Sequence, residues 1–128
     1  MFSNNNTGQE YLAIDNCKPS LTAINDALYV IGGKWKLKII VVLYDGSKRF
    51  NELQKAINGI SARILSNELK GLELNGFVCR TVYNGIPAVI EYQLTSYSQT
   101  LKKVVHALDE LGTSHRKKLQ LGSSGVDG

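Results

Sequence analysis

The segment 47–95 constrains the fold most, because two short helical patterns around a glycine turn are followed at once by a strand, a Gly/Pro turn and a second strand. After a short extended piece at 47–50, Asn51 and Gln54 have the spacing of a capping box. In such a box each polar side chain satisfies a backbone N–H left free in the first helical turn, so a short helix is expected from there to about Ile57. Asn58-Gly59 breaks it. Ser61 is placed to cap a second helix reaching about Leu74, with Ile64/Leu65, Leu69 and Leu72 as its inward stripe, and Asn75-Gly76 supplies a left-handed stop. Two helices separated by three or four residues containing Gly form a helix-turn-helix. Phe77, Val78, Thr81, Val82 and Tyr83, and then Val89, Ile90, Tyr92 and Leu94, favour strands. With Asn84-Gly85-Ile86-Pro87-Ala88 between them they predict a hairpin, the wing.

Both flanks carry apolar seams. Leu21, Ile24, Leu28 and Ile31 fall at i, i+3, i+7 and i+10 before Gly32-Gly33 stops the helix. A second helix from about Lys34 to Tyr44 is apolar on most sides and is expected to be the central buried helix, with Trp35 as a core anchor. A long helix from about Ser96 to Leu119 shows Leu101, Val104/Val105, Leu108 and Leu111. A terminal helix can be amphipathic simply by covering its own domain. Here the central helices already supply a core, so the expected role of Leu21, Ile24, Leu28, Leu101, Val104, Val105, Leu108 and Leu111 is a homodimer interface. Pairing across a two-fold axis sets two recognition helices about 34 to 36 Å apart, one turn of DNA. The fold class is therefore α+β, a winged helix-turn-helix whose N- and C-terminal helices form a dimer interface. Residues 17–119 make the domain, between a flexible arm at 1–16 and a flexible tail at 120–128.

At 128 residues and 43% hydrophobic, the chain can bury one proper core. Its longest apolar run, at 39–43, is far short of the roughly 18 to 20 residues that span a bilayer, and no leader pattern precedes it, so a cytoplasmic protein without membrane contact is expected. Cys17 and Cys79 have neither a disulfide-framework nor a metal-ligand spacing. His106 and His115 stand without a nucleophile signature, a phosphate loop or a metal cluster, which argues against an enzyme and implies no cofactor. Tyr11, Tyr29, Tyr44 and Tyr97 are scattered as packing residues are, and any small-molecule effector is unknown.

The net charge of +4 is unevenly spread: residues 34–83 carry nine Lys or Arg against four acids, whereas residues 1–33 are net negative. A basic middle is the footprint of a small DNA-binding module, although solvated basic faces also occur for other reasons. Removing the core positions of the Ser61 helix leaves Ser61, Ala62, Arg63, Ser66, Asn67 and Lys70 outward. Arg can bond guanine bidentately and Asn adenine, Ser and Lys can reach phosphates, and Ala62 lets the helix start approach base edges. Any exposed helix face is polar, so position decides: this face lies in a capped helix-turn-helix beside a hairpin. Arg49 and Lys55 are the expected phosphate contacts, with Lys48 less firmly placed and Lys34, Lys36 and Lys38 on the preceding helix. Arg80 either points to the duplex or pairs with Glu91 across the hairpin.

The runs Ala27-Leu-Tyr-Val-Ile-Gly-Gly-Lys-Trp-Lys-Leu-Lys-Ile-Ile, Arg49-Phe-Asn-Glu-Leu, Gly59-Ile-Ser-Ala-Arg-Ile-Leu-Ser-Asn-Glu-Leu-Lys-Gly-Leu-Glu and Ile90-Glu-Tyr-Gln-Leu-Thr resemble the HxlR family of bacterial transcription regulators, over about residues 20–112. The resemblance implies a homodimeric, cytoplasmic winged-helix regulator related to the MarR type, binding double-stranded DNA at a palindromic operator, with repression as the expected outcome. It places Ser61, Arg63, Ser66, Asn67 and Lys70 on the recognition helix. Two features depart from the family. Many members carry a Cys-Pro pair close to the first seam, in some a redox sensor; here Cys17 is followed by Lys18-Pro19 and lies farther upstream. Cys17 as redox sensor and Cys17 as plain structural cysteine both stand. Val89 replaces a basic residue that many relatives carry at the wing base, so specificity should lean on the helix. The alternative function is a winged-helix module that binds protein without specific DNA binding.

Overall fold

The computed structural model describes residues 18–124, so Cys17 and the arm at 1–16 lie outside the described residues. The chain divides into two compact units between Ile31 and Gly32. In the first, Ser20 caps α1 (Leu21–Ile31): its Oγ accepts from the Ala23 N–H at 3.2 Å, satisfying a donor with no partner in the first turn. The seam residues Leu21, Ile24 and Leu28 stand exposed, Leu28 at 60%.

The second unit runs through α2 (Lys36–Leu43), β1 (Lys48–Arg49), α3 (Phe50–Ala56), α4 (Ala62–Leu74), β2 (Val78–Tyr83), β3 (Val89–Leu94), a 3-10 helix (Ser96–Leu101) and α5 (Lys102–Ser124). Its core joins Ile39, Ile40 and Leu43 of α2, Leu53 of α3, Ile57 and Ile60 of the turn, Leu65, Leu69 and Leu72 of α4, and Phe77 and Val78. Each buried Leu, Ile or Phe contributes about 1.5 to 3 kcal/mol, which is what holds three short helices that would not persist alone. Ile64, expected in the inward stripe of α4, is only partly covered, whereas Leu65, Leu69 and Leu72 at i, i+4 and i+7 are fully inside.

α4 ends as its sequence predicts. Gly76 takes φ +85°, the Gly76 N–H donates to the Glu73 carbonyl at 3.1 Å and the Phe77 N–H to that of Leu72 at 2.9 Å, the paired bonds of a Schellman stop. Phe77 then stacks on Tyr97, centroids 5.0 Å apart. The sheet has three antiparallel strands in the order β1-β3-β2, so the extended piece before α3 is a third strand added to the wing. Lys48 lies opposite Tyr92 and Arg49 opposite Glu91, and Ser47 Oγ bonds Gln93 Oε1 at 2.9 Å.

Several local expectations are corrected. α3 begins at Phe50, with Arg49 and not Asn51 at the N-cap; Glu52 Oε1 accepts from the Arg49 N–H at 2.7 Å. Phe50, Leu53 and Ile57 share one helical face, and that spacing draws Asn51 into the first turn. α2 starts at Lys36, and Trp35 is half-exposed, its ring flanked by the ammonium groups of Lys34 and Lys38 at 4.8 and 4.9 Å from the centroid. α2 buries Ile39, Ile40 and Leu43 but leaves Val41 exposed, so it is a core helix on one side only. The last helix opens with a 3-10 segment and continues to Ser124, past the expected end at Leu119.

Candidate nucleic-acid interface

The interface is built on the start of α4. Ser61, with extended φ/ψ, accepts the Ile64 N–H at 3.1 Å, which fixes the first turn and orients the remaining free N–H groups outward. Ser61→Ala should lower stability by about 1 kcal/mol through loss of this cap, measured by urea denaturation. Gly59, at φ +83°, makes the turn from α3. From this anchor Arg63, Asn67 and Lys70 project at i, i+4 and i+7 and are exposed, with Ser61 and Ala62 exposed beside them and Ser66 half-buried. All six residues assigned to the face from the sequence therefore reach solvent, while Leu65, Leu69 and Leu72 anchor the opposite side. Among the described residues, Arg63, Asn67 and Lys70 have no side-chain hydrogen bond or ion pair.

The basic residues sort by what they touch. Lys36 bonds Glu68 at 2.6 Å, with both side chains mostly covered, and this pair clamps α2 to the back of α4. Lys36 is thereby a structural cation, while Lys34 and Lys38, both exposed, lie over the Trp35 ring. Lys55 on α3 and Arg49 at its N-cap are exposed. Arg80 lies opposite Tyr92, and Thr81 opposite Glu91, so Arg80 and Glu91 point to opposite faces and the proposed cross-hairpin pair does not form. Arg80 instead faces α4, in a notch with Ser66, Lys70, Glu73 and Tyr92. Sequence reasoning missed Tyr92 and Glu73: strand register brings Tyr92 to the notch and the packing of α4 against the sheet brings Glu73, and neither leaves a local motif. Val89 pairs with Tyr83 at the loop end of the hairpin, not at the wing base, and Ile86 stands fully exposed in the loop.

The expected dimer residues differ in exposure. Val104, Leu108 and Leu111 of α5 are open to solvent, Leu111 at 65%. Leu101 is corrected: at 6% exposure it is buried in the protomer and cannot lie on an open interface. Val105 and Leu108 line an apolar groove of about 1010 Å³ with Leu37, Val41, Val42 and Ile57. Cys79 is half-buried on the sheet face away from Val78. Among the described residues no helix is long and apolar enough to cross a membrane.

Comparison with known proteins agrees with this geometry. The family model for HxlR-like helix-turn-helix proteins matches residues 30–120. The HTH-type transcriptional regulator YybR of Bacillus subtilis (strain 168) is 42% identical over 93 residues, which are 73% of this chain and 74% of that protein. The redox regulator HypR in its reduced form superposes with a TM-score of 0.72 at 40% identity, covering 77% of this chain and 97% of that one. The reduced form of YodB from B. subtilis gives a TM-score of 0.65 at 34% identity, over 72% and 90% of the two chains.

Proposed function

Because this chain belongs to the HxlR-like helix-turn-helix family of transcriptional regulators, we propose that it acts in the cytoplasm as a homodimeric repressor, placing α4 of each protomer in the major groove at a palindromic operator. The observation that carries this reading is the row Arg63, Asn67 and Lys70, exposed and unpaired among the described residues, while the nearby Lys36 is consumed by Glu68. A side chain held ready by a capped helix and left without a protein partner loses little on meeting a base edge or phosphate. Lys70 at the end of the row, with the exposed Arg49, Lys55 and Arg80, would supply the phosphate contacts. Ser61, Ala62 and Ser66 bring the helix start close to the duplex. Repression then needs no more than occupancy of the promoter.

Selection of bound sites from random duplexes tests the proposal. A site of two inverted half-sites is expected. With about four phosphate contacts per protomer, affinity should fall by roughly 10³ to 10⁵ between 50 and 200 mM salt. A protein-binding module would enrich no sequence and show little of that salt dependence.

A further inference from the structure

We propose that the notch between α4 and the wing is a seat for one DNA phosphate in each half-site, with Tyr92 as a contact residue and Glu73 as an opposing charge that tunes it. The inference rests on α4 reading DNA, and it adds a site that positions the helix. Strand pairing sets Lys48, Tyr92 and Arg80 side by side across β1, β3 and β2. Residues directly opposite in antiparallel strands share a face, so these three form a single row. Facing that row, α4 contributes Ser66, Lys70 and Glu73 around a polar space of about 330 Å³.

The chemistry of the lining selects a tetrahedral oxyanion. Arg80 presents a planar fork of donors, Lys70 a point charge, and Tyr92 and Ser66 neutral hydroxyls. Among the described residues none of these four side chains has a hydrogen bond or ion pair, although Tyr92 and Ser66 are half-buried. Both hydroxyls open on the notch, where a phosphate oxygen would take the place of the water they meet. Lys70 and Arg80 outweigh Glu73, and Lys48 at the end of the row adds to the positive side. Ser66 stands one turn along α4 from Ala62 and Arg63, and Lys70 one turn from Asn67. A duplex whose bases meet Arg63 and Asn67 would therefore bring its backbone to the notch. Phosphate held there fixes how far α4 slides along the groove, which is positioning rather than base readout.

The test uses the selected operator and the full chain. Tyr92→Phe removes only a hydroxyl, and should weaken binding about 10-fold on every sequence with the salt slope unchanged. Arg80→Gln should weaken binding and lower the salt slope by about 0.9 per protomer. Glu73→Gln should act with the opposite sign, tightening binding to all sequences alike. Ethylation of one phosphate per half-site should interfere with binding of the parent protein and no longer matter in Arg80→Gln. Parental affinity in both Tyr92→Phe and Glu73→Gln, with every ethylation signal kept in Arg80→Gln, would overturn the seat. So would inorganic phosphate that binds the parent protein in an Arg80-dependent way while the ethylation pattern stays unchanged, since the notch would then hold a free anion. If selectivity still depends on Arg63 in those cases, the role of α4 survives and only the notch fails; loss of that dependence overturns the wider reading.

Discussion

Leu108→Asp is expected to give monomers at micromolar concentration by sedimentation velocity, with the helical content of the protomer unchanged. Leu108 is 45% exposed and sits between Val104 and Leu111 on the open stripe of α5, so the substitution removes little from the protomer's own core. In a two-fold interface the same change enters twice. Each copy loses the roughly 1.5 to 3 kcal/mol that a buried Leu contributes, and each places a carboxylate in apolar surface. The open stripe of α5 is apolar surface that such a dimer would cover, and the exposed seam of α1 is another. A dimer that persists in this variant would put the interface elsewhere. Operator affinity should fall with the dimer, because one protomer can engage only one half-site.

Arg63→Ala should lower operator affinity by roughly 1 to 3 kcal/mol, a change of about 5- to 150-fold, and relax base preference at one position in each half-site. The reason is directional: a guanidinium fork matches the two acceptors of guanine, and no small side chain replaces that pattern. Lys55→Ala provides the contrast. It removes an exposed charge on α3, and it should weaken all sequences alike while reducing the salt slope by about 0.9 per protomer. Gel-shift titration on the selected operator and on scrambled duplexes separates the two outcomes. Unchanged selectivity in Arg63→Ala would remove that residue from base readout.

What could be read in advance was local. The Ser61 cap, the Asn75-Gly76 stop and the turn 84–88 each act through neighbours a few residues away, and the helix and strand periods between them followed from spacing alone. The outward face of α4 was legible for the same reason, being what remains once Leu65, Leu69 and Leu72 turn inward. Long-range pairings were not legible. Lys36 and Glu68 lie 32 residues apart, and only the packing of α2 on α4 makes them partners. The row Lys48, Tyr92 and Arg80 requires the register of three strands, and a shift of one residue would have favoured the Arg80–Glu91 pair considered from the sequence. Asn51 looked like the cap because its residue type suits the role; the apolar face through Phe50 and the reach of Glu52 moved the helix start to Arg49 instead. Leu101 shared a heptad seam with Leu108, but the 3-10 segment before α5 rotates it into the core.

The most direct test of the paired-helix arrangement is the spacing of Arg63-dependent base contacts on the selected operator, mapped by missing-contact probing of the parent protein against Arg63→Ala. Two contacts related by inversion and centred about 10 to 10.5 base pairs apart are expected, one turn of the duplex and about 34 to 36 Å. A single contact, or two whose separation places them on opposite sides of the helix, would contradict a dimer that sets both α4 faces in successive major grooves.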